Sequence, residues 1–389
     1  MAQRGEKKSH EATPTFVDLN DLACSRVGGE IMFATDDWYA VAENVLKLAP
    51  PEWREGVFTS YGKWMDGWET RRKRIPGHDW CIIKLGIPGV IHGLDIDTSY
   101  FTGNYPPKAS IQAACLENDS VIFPQRKSMM GSAACADWVR KVAQLTQEWT
   151  YILPMTKLQP GYPSTAHNFF NINNSQRWTH LRLNIYPDGG VARLRVYGKA
   201  VKDWNHLDKN KVPVDLAAME NGGMVVGWSD MHFGHPRNLI APGLAANMGE
   251  GWETARRLDR PSIIEVGEDG CLKVPGCEWA VIQLGHQGIL KKIEIDTNHF
   301  KGNFPHSCVM EGVFVPYLKR LDASTDDWSS LKWKTILPTS KLSPHKGHFF
   351  SKLEECGVVS HVRLTIYPDG GISRLRCWGL PDLSSKSSL

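Results

Sequence analysis

The chain of 389 residues has no run of eighteen apolar residues, and its polar start "MAQRGEKKSHEATP" has no apolar core of a secretory signal. Neither a membrane span nor export is therefore expected, and the default is an intracellular, cytoplasmic protein. The nine cysteines, Cys24, Cys81, Cys115, Cys135, Cys271, Cys277, Cys308, Cys356 and Cys377, include no C-x-x-C. An odd, scattered set argues against a disulfide framework or a structural zinc site. The formal net charge of +3 is too small to imply nucleic-acid binding by field alone. No G-x-S-x-G, P-loop, Rossmann glycine signature or H-E-x-x-H occurs. Nucleophilic Ser or Cys catalysis and nucleotide use are thus unsupported. Long helical periodicity is scarce too, and "ACADWVRKVAQL", Ala134 to Leu145, is the best helix candidate.

What the chain does have is a sequence written twice. "LDIDTSYFTGNYP" at Leu94 returns as "IEIDTNHFKGNFP" at Ile293. "DGWETRRKR" at Asp66 returns as "EGWETARRL" at Glu250, and "WTYILPMTKL" at Trp149 as "WKTILPTSKL" at Trp333. The longest pair is "HLRLNIYPDGGVARLRVYG" at His180 and "HVRLTIYPDGGISRLRCWG" at His361. Each copy carries one loop the other lacks: "RPSIIEVGEDGCLKV" in the second, and part of Ser110 to Gln147 in the first. Such insertions are tolerated mainly at surfaces. The reading is a tail over 1–15, a first repeat over 16–198, a linker over 199–211, a second repeat over 212–381 and a tail over 382–389.

The repeats read as all-β. Leu181, Leu183 and Ile185 alternate with Arg182 and Asn184, the period of a half-buried strand. "YPDGG" supplies turn residues, so a hairpin is expected, with Ala192, Leu194 and Val196 on its apolar face and Arg193 and Arg195 on an arginine-rich one. Many short strands bounded by Gly and Pro suggest two tandem jelly-roll β-sandwich domains.

Several constellations can carry chemistry. Arg182, Arg193, Arg363 and Arg374 suit a carboxylate, because the guanidinium fork bonds it bidentately, though a solvated strand face reads the same way. In "GWET-x-R-[RK]", Glu69 and Glu253 are acid/base candidates and Arg72 and Arg256 anion ligands, or a structural pair. Asp97 and Asp296 sit where an apolar strand ends, beside Asn104 and Asn303. That place suits a fixed acid or base, or a turn capped by its own side chains. His299 stands where the first copy has Tyr100 and marks divergence of the copies. The pairs His232/His235 and His345/His348 would serve a metal only on a helix or tight turn. Neither lies in a helical pattern, so no metal site is assigned.

The tandem "GWETRRKR", "LDIDTSYFTGNYP", "ILPMTKL" and "LRLNIYPDGGVARLRVYG", with their second copies, resemble the allantoicase family from about Phe16 to Pro381. The resemblance implies two jelly rolls similar to galactose-binding modules, a homo-oligomer, and hydrolysis of allantoate to ureidoglycolate and urea in allantoin degradation. No cofactor is required by the sequence, and a divalent metal is unsupported. That reaction replaces a C–N bond by C–O. It needs a cation for the substrate carboxylate, an acid for departing urea, a base for water and amide partners for the ureido groups. On this reading Arg182 or Arg363 binds the carboxylate, with Arg72, Arg193, Arg256 and Arg374 as further ligands. Glu69, Asp97, Glu253, Asp296 and His299 are the catalytic candidates, and Asn104 and Asn303 orient ureido groups. The alternative is an inactive tandem module binding a small anion or carbohydrate. The terminal "KSSL" partly resembles a Ser-Lys-Leu peroxisomal address, but Ser388 lacks the charge, so cytoplasm is preferred.

Overall fold

The computed structural model describes residues 13–116, 123–202, 204, 212–268, 270–316 and 328–383. The outermost tails with the terminal "KSSL", and most of the expected linker, lie outside the described residues. The described chain is strand-rich, and its one α-helix among those residues is Ala136–Leu145, within the expected helical stretch. No helix is long and apolar enough to cross a membrane. The molecule divides into two compact units. One holds the described residues up to Gly86 with Val90–Gly198, the other Ile87–Gly89 with those from Lys199 onward.

Each unit is organised by one strand of nineteen residues, Asp79–Asp97 in the first and Glu278–Asp296 in the second. In the second unit Glu278–Gln283 pairs with Val359–Tyr367, whereas Leu290–Asp296 pairs with Arg374–Pro381. The long strand thus belongs to both layers of a sandwich and switches partners around Gly285 to Gly288. A Cβ on Gly285 would lie 1.9 Å from Asn221 O, so the bend there leaves room only for glycine. The first unit has the same strand order. Its core is formed by fully buried aliphatic residues of these strands, including Ile82, Ile91, Leu94, Leu183 and Leu194. Each such side chain contributes about 1.5–3 kcal/mol by leaving water.

Two expectations are corrected here. The strands Arg177–Tyr186 and Arg193–Ala200 do not form a hairpin, because Asp79–Asp97 lies between them in the sheet. The "YPDGG" segment, with a cis Tyr186–Pro187 bond, is instead an arch that carries the chain across to a new partner. Within it Gly190–Val191 pairs with Trp68–Glu69. Nor is there an exposed arginine face. Arg193 and Arg374 are each 1% exposed, because residues distant in sequence cover the second side of their strands.

Candidate active site

The repeated Asp-Thr…Gly-Asn motif is a strand end folded back by its own side chains. Asp97 Oδ1 accepts the Ser99 amide at 2.8 Å, and Asp296 Oδ1 accepts the Asn298 amide at 2.8 Å. Thr98 Oγ1 donates to Gln159 O at 2.9 Å, while Thr297 Oγ1 donates to Ser343 O at 2.6 Å. The following Phe101 and Phe300 are fully buried against Gly190 and Gly371. Those glycines also join two other parts of the site. Gly190 is the ladder partner of Glu69 and donates its amide to Asn104 O at 2.8 Å. Gly371 does the same for Glu253 and Asn303, also at 2.8 Å.

The result is an amide–carboxylate pair in each repeat. Asn104 Nδ2 donates to Glu69 Oε1 at 2.6 Å, and Asn303 Nδ2 to Glu253 Oε1 at 2.5 Å. Burial pushes the Glu69 carboxyl above its ordinary value, against the lowering effect of the Asn104 bond. A depression lies beside each pair, lined by both Glu69 and Asn104 in the first repeat and by Asn303, but not Glu253, in the second. In the first repeat it measures about 230 Å³ and is lined by Tyr39, Trp53, Lys63, Glu69, Tyr100 and Asn104 among others. In the second it is about 570 Å³ and more open, with Met248, His299, Lys301, Asn303 and His345 on its walls.

Tyr100 and His299 hold φ of 69° and 72°, a left-handed conformation uncommon for such residues and frequent at binding sites. Their amides show how the copies differ. Tyr100 N donates to Gly161 O at 3.0 Å, whereas His299 N donates to the side chain of His345, at Nδ1, 2.8 Å away. His345 stands in the place of Gly161, since their amides donate to Phe300 O and Phe101 O respectively. Two imidazoles, 5.9 Å apart, therefore enter the second depression where the first has a tyrosine and a glycine. His299 Nε2 donates to Ala245 O at 2.9 Å, which leaves Nδ1 as its acceptor. His345 Nδ1 is an acceptor, so its Nε2 carries the proton of the neutral ring.

The allantoicase repeat model matches residues 20–201 and again 214–382. The chain belongs to the allantoicase family. It is 44% identical over 365 residues to a "Probable allantoicase" of Pseudomonas fluorescens, covering 94% of this chain and 97% of that one. A Pseudomonas aeruginosa relative of the same name is 43% identical over 367 residues, covering 93% and 96%. The crystal structure of allantoicase from Saccharomyces cerevisiae, 34% identical, superposes with a TM-score of 0.69 over 92% of both chains.

Within this allantoicase-family chain the other candidate residues have different places. Asp97 and Asp296 are buried and engaged in their turns, and neither lines the depressions. Arg193 donates to Ala49 O, Asp66 O and Pro50 O, and pairs with Asp66 Oδ2 at 2.6 Å. Arg374 likewise donates to Gly243 O, Asn238 O and Glu250 O. Both fasten the segment that carries the "GWET" motif, and neither lines a depression. Arg72 and Arg256 are exposed and outside both depressions, while their neighbours Arg71 and Arg257 pair with Asp36 and Glu278. Arg363 is paired with Glu311, and Arg182 lies over Trp80. No group of three His, Cys, Asp or Glu side chains suited to a metal occurs among the described residues. His235 Nδ1 accepts the Arg237 amide, and His348 Nε2 accepts the Ser343 amide. Sequence reasoning missed Lys301 and the role of His345. The paired replacements Tyr100/His299 and Gly161/His345 were the signal that could have found the second.

Proposed function

We propose that the chain hydrolyses allantoate to ureidoglycolate and urea, and that the reaction is centred on the Glu253–Asn303 pair of the second repeat. The observation that carries this assignment is an amide, a lysine and two histidines on the walls of one open depression, with the Glu253 carboxylate bonded to that amide from behind the wall. Lys301 holds the substrate carboxylate. Asn303 orients a ureido group, and Glu253 takes a proton from water as its oxygen bonds to the central carbon. The C–N bond breaks as the histidine pair protonates the departing urea nitrogen, and return of the proton from Glu253 restores the site. The first repeat keeps the carboxylate–amide pair without the histidines, which supports a supporting role for that copy. Cytoplasmic location and a homo-oligomer belong to the same proposal, resting on the sequence reading and the family resemblance.

Urea release from allantoate tests the assignment. Glu253→Gln, with folding verified, is expected to lower turnover at least about a hundredfold, the scale of general acid–base catalysis. Glu69→Gln is expected to leave most of it. Normal turnover in Glu253→Gln would sink the placement, and no urea from the parent chain with ligand still bound would favour a binding module.

A further inference from the structure

The first repeat carries a buried guanidinium to which no described residue gives a counter-charge. Arg182 is 7% exposed, with its guanidinium 4.0 Å from the Trp80 ring centroid. Nε donates to Asn184 Oδ1 at 2.9 Å and Nη1 to Thr146 Oγ1 at 2.6 Å. Thr146 is placed by the end of the helix Ala136–Leu145, in the insertion peculiar to this repeat. The surrounding network is neutral. His78 Nε2 donates to the same Asn184 oxygen at 3.0 Å, and Asn184 Nδ2 donates to Ser110 Oγ at 3.2 Å and Gln112 Oε1 at 3.3 Å. Burial disfavours protonation of His78, and the charge of Arg182 adds to that. No carboxylate pairs with Arg182 among the described residues, and burial brings its pKa down to about 10.

The second repeat shows what group fits there. Arg363 occupies the equivalent strand position, and its directly opposed partner is Glu311. Glu311 Oε2 accepts from Arg363 Nε at 2.8 Å and Nη2 at 2.6 Å. The residue directly opposite Arg182 is Gln112, whose Nε2 is turned to Thr146 O and Trp149 O.

Of the two nitrogens that Glu311 engages on Arg363, Arg182 has given Nε to Asn184, while its Nη2 has no partner among the described residues. We propose that the first repeat binds a small monocarboxylate at Arg182, its carboxylate accepting from this Nη2. One negative charge answers one positive charge. A dianion would leave a charge uncompensated beside a largely desolvated guanidinium. Tyr151, 57% exposed, and the partly exposed Tyr186 lie within electrostatic reach of Arg182, and His78 packs on Tyr186 with ring centroids 4.4 Å apart. None of these residues lines either depression beside the Glu–Asn pairs, so the site is additional to the proposed reaction centre.

The test is calorimetric titration of the full chain with ureidoacetate, a carboxylate bearing one ureido group, and with its neutral methyl ester. Gln112→Glu installs the counter-charge that the second repeat carries in the same frame, and Arg182→Met removes the cation. The parent chain is expected to bind two ureidoacetates, and Gln112→Glu, verified as folded by its Tm, one, with urea release within twofold of the parent. Equal stoichiometry in parent and Gln112→Glu overturns the proposal, as does equal binding of the methyl ester at the lost site. A smaller particle in light scattering for Gln112→Glu, with ligand stoichiometry unchanged, also overturns it and assigns the counter-charge of Arg182 to a carboxylate of a second copy. This readout is independent of Glu253, so failure of the reaction-centre assignment is distinguishable from failure of this one.

Discussion

Asn303 Nδ2 lies 2.5 Å from Glu253 Oε1, and the two residues are brought together by Gly371, which is the ladder partner of one and donates its amide to the backbone of the other. A carboxylate held this way keeps its second oxygen for a substrate or water. Replacing the amide by a second carboxylate reverses the sign of the contact. In Asn303→Asp two like charges share the site, which raises the pKa of the pair. The acidic limb of the kcat/KM profile for urea release is therefore expected to move to higher pH. An unmoved limb would show that Glu253 is not the titrating base.

The glycine between them can be tested directly. A Cβ on Gly371 would lie 1.9 Å from a ring carbon of Phe300. Gly371→Ala should therefore destabilise the chain by about 1–3 kcal/mol, as overpacking does, and should reduce turnover by displacing Asn303. The double variant with Phe300→Leu should recover part of both losses in denaturation and activity measurements.

His299 and His345 distinguish the second depression from the first. His299→Tyr restores the residue that the first repeat has at this place, and Tyr100 there adopts nearly the same φ. The fold should tolerate it, while turnover falls by about a hundredfold through loss of a proton-transfer group. Unchanged kcat in a folded His299→Tyr chain would remove the histidine pair from the mechanism.

Arg193 illustrates a structural arginine. It is buried, and its guanidinium pairs with Asp66 while donating to four backbone carbonyls. Removing one partner of a buried pair leaves the other uncompensated, at about 3–5 kcal/mol. Arg193→Met is expected to show that loss in urea denaturation, whereas Arg72→Met, at an exposed position, should stay within about 0.5 kcal/mol.

Glu69 gives a pH signature. Burial raises its folded-state pKa. A raised carboxyl contributes stability that is fully present below the unfolded pKa and is lost as pH rises through the folded one. Glu69→Gln, which has no charge to bury, should therefore have the higher Tm at neutral pH. The difference should shrink as pH falls below the folded pKa toward the unfolded value. A constant difference across that range would assign it to packing.

The amino-acid sequence by itself determined that one unit is built twice, that it is made of strands, and that its only strong helical stretch lies in an insertion. Repetition and period are properties of the chain order, so they are legible without coordinates. It also brought Glu69, Asn104, Glu253 and Asn303 forward as candidates, since the two copies repeat them in matching motifs. Which acids face a depression was decided by the tertiary structure alone. Asp97 and Glu69 are both acidic residues at strand ends. One accepts an amide two residues on, and the other meets an asparagine thirty-five residues away. The arginines divide for the same reason. Alternation along a strand says which side chains share a face, but whether that face meets water or another layer depends on distant segments. Arg193 is enclosed by carbonyls near Ala49 and Asp66, and Arg182 by a helix from an insertion that the second repeat lacks. Burial is set by what packs across the face, and no local pattern records it.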